Sequence, residues 1–247
     1  MNLEICCGSY VSALVASQAG ATRIELCSGL AEGGITPSLG LVKAACALPN
    51  VVHHVLIRPR GGDFLYSEAE KSIILSDIDA AVEAGADGVV VGALTPDGEI
   101  DVNFLKACVK HASGRNVTFH RAFDLCSDAL RALHEIADAG ANRILTSGQA
   151  PSAMQGTALL AQLVKEAPEG LSIMPGCGVN PNNAAQLLRE TGAKELHASA
   201  RAPQKSLMRF VRNDVNMGAK GADEYATMET STDTVRAILT AMNSVTC

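Results

Sequence analysis

The chain of 247 residues is 47% hydrophobic and 19% charged, which excludes a disordered polymer and leaves enough apolar mass for a core without a disulfide scaffold. A net charge of −6, no Trp and 3% aromatic residues remove the usual grip on nucleic acid, which needs a basic surface and stacking rings. The longest unbroken apolar run, Ala44 to Leu48, falls far short of the ~20 residues that span a bilayer. Met1-Asn2-Leu3-Glu4 carries an acid where a secretory leader carries Lys or Arg, so export is not expected.

Taken in chain order, the first strand is predicted over Leu3 to Cys7 and the second over Arg23 to Cys27. Between them stands Ala19-Gly20-Ala21-Thr22, and the same punctuation returns as Ala84-Gly85-Ala86-Asp87 and Ala139-Gly140-Ala141-Asn142, with Gly192-Ala193-Lys194 as a degraded copy. Each glycine supplies the left-handed residue that ends a helix, and the residues that follow open a strand: Gly88 to Gly92, Arg143 to Ser147 and Glu195 to Ser199. The four glycines lie 52 to 65 residues apart, twice the ~30 residues of one βα unit. Each interval therefore holds a further strand: Val51 to Arg58, Asn116 to Arg121 and Leu171 to Pro175.

Helical patterns such as Ser76 to Ala84 and Asp128 to Ala139 separate these strands. Eight strands in strict alternation with helices read as an α/β fold, a TIM-like (β/α)8 barrel in a single domain over 1–247, with a doubly wound open sheet as the alternative. A long excursion at 201–225, basic over its first half and containing Gly218 and Gly221, precedes a terminal helix and reads as a lid or an oligomer contact.

In such a barrel the site lies at the C-terminal ends of the strands. With Ile5 and Leu26 facing outward, alternation turns Glu4 and Cys6, and Glu25 and Cys27, toward the interior. The third strand ends in Arg58-Pro59-Arg60-Gly61-Gly62-Asp63, the fifth in His120-Arg121 before Asp124, and the sixth in Thr146-Ser147-Gly148. The eighth strand adds Glu195, His197 and Ser199 before Arg201. Buried acids need partners, and Arg58, Arg121, His120 and His197 are those expected for Glu4 and Glu25. Two readings stand. One is a structural ion network filling the barrel. The other is an enzyme for a small anionic or phosphorylated metabolite, in which Arg58 and Arg121 bind charge, His120 or Glu25 moves protons, and His197 is a further catalytic candidate.

The seventh strand runs into Pro175-Gly176-Cys177-Gly178-Val179-Asn180, with Asn180 expected to cap a helix that Pro181 begins. Gly176, Gly178 and Ser199 form a candidate cup for a phosphate or carboxylate, the alternative being a tight turn that simply needs glycine.

Eight cysteines, at 6, 7, 27, 46, 108, 126, 177 and 247, include no CxxC pair, and most read as small buried residues. Cys6 and Cys27 fall on neighbouring strands ~4.8 Å apart, close enough for one soft metal ion, for a disulfide, or for two inert thiols. Soft thiolates select Cu(I). His53 and His54, early in the third strand, are expected to pack.

Several rim segments together resemble a known family. Glu25-Leu26-Cys27-Ser28-Gly29-Leu30 with Glu32-Gly33-Gly34 and Thr36-Pro37-Ser38, and Ile57-Arg58-Pro59-Arg60-Gly61-Gly62-Asp63-Phe64, resemble the CutC family of copper homeostasis proteins. So do Thr118-Phe119-His120-Arg121-Ala122-Phe123-Asp124, Leu145-Thr146-Ser147-Gly148 and His197-Ala198-Ser199-Ala200-Arg201. The resemblance runs from about residue 2 to 213, with Ala222-Asp223-Glu224-Tyr225 beyond. It implies a TIM-like barrel, a cytoplasmic location, a homo-oligomer such as a dimer or tetramer, and copper handling with Cys6 and Cys27 as the Cu(I) thiols, while composition already argues against a nucleic-acid or membrane partner. Cys177 stands where that family more often has glycine or another small residue.

Overall fold

Gly20 adopts φ 99° and donates its backbone N–H to the carbonyls of Ala16 and Ser17, ending α1 (Tyr10–Ala19) and releasing the chain into β2 (Arg23–Leu26). The same left-handed step at Gly85, Gly140 and Gly192 precedes β4 (Gly88–Val91), β6 (Arg143–Thr146) and β8 (Glu195–Ala198). The intervening strands are β1 (Asn2–Cys7), β3 (Val52–Leu56), β5 (Asn116–Phe119) and β7 (Ser172–Pro175). These come from a computed structural model, which describes residues 1–212, 214–215 and 223–245.

All eight strands pair in parallel in the order β7-β6-β5-β4-β3-β2-β1-β8, curling into a nearly closed barrel whose seam is β7 beside β8. Each lies within two residues of its expected bounds. Six helices, α2 (Leu39–Ala45), α3 (Glu68–Glu83), α4 (Val102–His111), α5 (Ala129–Asp138), α6 (Thr157–Glu166) and α7 (Ala184–Thr191), cover the outside with α1. The main core, including Ile5, Leu26, Val89, Phe119, Ile144 and Leu196, sits between strands and helices. A smaller cluster of Cys6, Cys27, Leu56 and Val90 lies apart from it.

Two helix starts differ from expectation. Helix α3 begins well before Ser76, because Ser67 and Glu70 form a capping box, the Ser67 hydroxyl accepting from Glu70 N–H and the Glu70 carboxylate accepting from Ser67 N–H. Helix α7 begins at Ala184 rather than Pro181. Asn180 spends its side-chain oxygen on Asn182 N–H at 2.9 Å, making a local turn first, and Asn183 occupies the cap position.

After the barrel, β9 (Arg201–Lys205) and β10 (Ala226–Thr230) form an antiparallel hairpin, followed by the terminal helix α8 (Thr232–Asn243) against α1 and α7. Glu229 ties this hairpin to α1, accepting from the hydroxyls of Ser9 at 2.5 Å and Ser12 at 2.7 Å. Gly218 and Gly221 of the expected excursion, and Cys247, lie outside the described residues. No described helix is long and apolar enough to cross a membrane.

Candidate functional site

The barrel floor is an ion network. Arg23, first residue of β2, pairs through Nε with Glu4 and through Nη2 with Glu195 at 2.7 Å. Arg143, first residue of β6, closes on the other Glu195 oxygen at 2.7 Å and on the Thr118 hydroxyl at 3.2 Å. The two guanidiniums outweigh burial and hold Glu195 below the usual carboxylate range. His54 lies 3.8 Å from Glu4, and burial pushes its pKa down to about 4, so it packs here as a neutral ring.

Above this floor, alternation places Glu4, Cys6, Glu25 and Cys27 inside the barrel, as the strand pattern requires. Glu4 is fully buried and accepts from His197 Nδ1 at 2.7 Å. Burial acts to raise Glu4, but the His197 hydrogen bond and the Arg23 charge prevail and hold it far below the usual range. For His197, burial acts downward, while the charge of Glu25 and the bonds to Cys6 and Glu4 lift it well above the ordinary imidazole value. Burial raises Glu25.

With Nδ1 on Glu4, the other ring nitrogen of His197 lies 3.9 Å from Glu25 Oε2, beside the Cys6 thiol. One donor atom each of Cys6, Glu25 and His197 lies within 4.8 Å of the others, a grouping able to hold a metal ion. Cys6 Sγ also touches Cys27 Sγ at 3.3 Å. That hydrogen bond, then burial and the Glu25 charge, raise the Cys6 thiol well above its ordinary pKa, so the Cys6 sulfur is protonated here. Among the described residues, Cys46, Cys108 and Cys126 have no comparable company: burial pushes Cys108 up to about 12 and Cys46 and Cys126 up to about 11.

These groups open into a cavity of about 430 Å³ at the C-terminal ends of the strands. Cys6, Glu25, Arg58, His120, Arg121, Gly178, His197 and Ser199 all line it. Cys27 lies just behind Cys6, with no exposed surface. Gly176 is not on the lining. A side chain there would meet Leu145 Cδ1 at 2.5 Å and His197 Cβ at 3.3 Å, so this glycine exists to let the β7 turn pass His197. Cys177 does reach the lining, at φ 75°, with its thiol turned to the Pro151 carbonyl at 3.3 Å.

The expected partners of Glu4 and Glu25 need correction. Arg58 reaches neither acid: its guanidinium bonds the backbone carbonyls of Glu32, Gly34 and Gly62. Arg121 pairs with Asp124 at 2.8 Å and with the Ser147 hydroxyl at 3.0 Å. His120 uses Nδ1 to accept Ala122 N–H at 3.1 Å, capping the short turn after β5. Of the four expected partners, His197 alone meets both acids. Arg23 and Arg143 take the charge-pairing role, and the signal that could have found them is the arginine that directly follows the turn in two of the repeat copies, Gly20-Ala21-Thr22-Arg23 and Gly140-Ala141-Asn142-Arg143. Asp124 was also underrated: it accepts from Thr146, Ser147 and Gln149 besides Arg121, locking the loops after β5 and β6 together. Phe64 and Leu30 join the lining without any chemical signature that sequence alone would flag.

The CutC family model matches residues 1–202. A family protein CutC of Chromobacterium violaceum is 48% identical over 241 residues, covering 98% of each chain. One of Parabacteroides distasonis is 46% identical over 239 residues, covering 96% of this chain and 98% of its own. Among solved structures, a Streptococcus agalactiae protein named for copper homeostasis, CutC, superposes with a TM-score of 0.77 at 32% identity, covering 81% of this chain and 98% of its own. Thiamine phosphate pyrophosphorylase from Pyrococcus furiosus, at 16% identity and a TM-score of 0.62, shares the fold alone. Sequence, barrel and rim agree: the chain belongs to the CutC family.

Proposed function

We propose that this protein binds and handles Cu(I) in the cytosol, through Cys6 and Cys27 with His197 as a third donor. The observation that carries this reading is the contact of two buried sulfurs at 3.3 Å beside an imidazole whose other nitrogen is already anchored on a carboxylate. A histidine that gives Nδ1–H to an acid keeps its remaining nitrogen oriented as a ligand, the arrangement that supports metal-binding imidazoles generally. Two thiolates are soft donors and imidazole a borderline one, a set that favours Cu(I) over hard cations. The copper homeostasis name of the Streptococcus agalactiae relative agrees with this.

The donors fit with small adjustments. Sulfurs that share one ion through bonds of about 2.3 Å stand farther apart than thiols in contact, so the pair spreads as the ion enters. Both thiols and His197 give up protons on loading, and Glu25 beside them is the nearest group to receive one. The seven described cysteines are free, in keeping with a reducing compartment. A homodimer or homotetramer is the assembly we infer, supported by the exposed Leu207, Met208 and Phe210 on the excursion.

The test is an anaerobic titration with Cu(I) against a colorimetric Cu(I) chelator. One tightly held ion per chain is expected, and its loss in the Cys6→Ser/Cys27→Ser double variant. Undiminished binding by that variant removes the proposal.

A further inference from the structure

Arg58 is 5% exposed, yet all its partners are neutral: Nη1 donates to the Glu32 and Gly34 carbonyls at 2.9 Å each, and Nη2 to Gly62 at 2.7 Å. Among the described residues no carboxylate pairs with it, and its buried Nε–H makes no hydrogen bond, the neutral Tyr66 hydroxyl being another unpaired buried group that interacts with this side chain. A buried charge without a counter-charge and a buried donor without an acceptor are both unfavourable, and proteins keep few of them. His120, also 5% exposed, accepts on Nδ1, which fixes its proton on Nε2, and that N–H too has no acceptor. Burial and the Arg58 charge push its pKa down to about 3, so it is a neutral donor.

The Phe64 ring joins the two. It lies 4.9 Å from the Arg58 guanidinium carbon and 5.0 Å from the His120 ring, and all three line the barrel mouth. The other arginine on that lining, Arg121, is neutralised by Asp124. Glu32, exposed at the rim, offers Arg58 only its main-chain carbonyl. The remaining wall includes Leu30, Leu56 and Leu145.

We propose that the barrel mouth binds a small, singly charged organic carboxylate, whose oxygens accept from Arg58 Nε and His120 Nε2 while its carbon skeleton covers the leucine wall. One uncompensated guanidinium matches one negative charge. Two free donors match the two oxygens of a carboxylate. Inorganic phosphate brings, as its dianion, more charge than Arg58 balances, and in either form it leaves the apolar wall wet. A cavity of about 430 Å³ is the size of a small-molecule site and exceeds the needs of a lone metal ion. Both nitrogens are screened from solvent beside Phe64, so the carboxylate reaches them as that half-buried ring turns aside. This site shares the cavity with Cys6 but uses different donors, and it does not require copper.

The experiment is isothermal titration of metal-free protein with acetate, butyrate and benzoate, and with inorganic phosphate, alongside nitrogen NMR of histidine-labelled protein. Saturable one-to-one binding of at least one carboxylate is expected, with the His120 Nε2 resonance shifting and phosphate weaker. His120→Asn keeps an oxygen for Ala122 N–H but lacks the Nε2 donor, and should weaken binding roughly 10-fold or more. Arg58→Lys should do the same; should it fail to fold by circular dichroism, His120→Asn carries the test alone. No saturable binding of any carboxylate, preference for phosphate, or unchanged affinity in His120→Asn overturns the proposal. Because copper is absent throughout, none of these results bears on the thiol site.

Discussion

Glu4 Oε1 accepts the His197 Nδ1 proton at 2.7 Å while Arg23 grips the other oxygen of the same carboxylate, so the orientation of one rim imidazole is set by the ion network on the barrel floor. If that carboxylate aims His197 at an incoming ion, Glu4→Gln keeps an acceptor but loses the charge. Cu(I) affinity should then fall about 10- to 100-fold with the stoichiometry unchanged. Competition titration of the two proteins reads this directly, and equal affinities would detach His197 from the metal.

Acid should destabilise the fold early. His54 and His120 are buried as neutral rings with pKa values lowered to about 4 and about 3, so between pH 6.5 and those values the unfolded chain binds protons that the folded one refuses. Stability is therefore present above pH 6.5 and lost as pH falls, each group contributing a slope of up to about 1.4 kcal/mol per pH unit. Glu195, held low by Arg143 and Arg23, adds a further loss once pH passes below the usual carboxylate value of 4.5. Urea unfolding at pH 6.5 and pH 5.0 checks the first part: the midpoint should drop, and a constant midpoint would mean the two rings are not buried neutral.

Asp124 should matter for stability more than its place on a loop implies. It gathers Arg121, Thr146, Ser147 and Gln149, and Asp124→Ala would strand the donors of the last three, for a loss of about 1–3 kcal/mol, the half-exposed Arg121 being left to solvent. Thermal unfolding should show it, and a change within about 0.5 kcal/mol, typical of a plain surface substitution, would contradict the role.

Gly88 should not accept a side chain. A Cβ there would stand 2.6 Å from His54 Nε2 and 2.8 Å from the Asn116 carbonyl, so Gly88→Ala should cost about 1–3 kcal/mol in chemical denaturation through crowding of the barrel interior. An unchanged denaturation midpoint would mean His54 is free to move.

The barrel was legible because its punctuation is local: Gly20, Gly85 and Gly140 each end a helix within a few residues of a strand, and alternation about Ile5 and Leu26 settles which side chains face in. The partners of those side chains were not legible. Nothing local distinguishes Arg58, which turns to three main-chain carbonyls, from Arg23, which reaches across the barrel to Glu4 and Glu195. That choice depends on where strands far apart in sequence come together, as it does for Arg143 and Glu195. The start of α7 was missed for the opposite reason: Asn180 satisfies its own neighbourhood so well that the helix waits for Asn183.

The most direct test of the thiol site is copper-edge X-ray absorption on protein loaded anaerobically with one Cu(I) per chain. Two sulfur neighbours at about 2.3 Å, with one nitrogen alongside, are predicted for the native protein, and a single sulfur for Cys27→Ser. A spectrum with only nitrogen and oxygen neighbours, or one unchanged when both Cys6 and Cys27 are serine, would contradict the account.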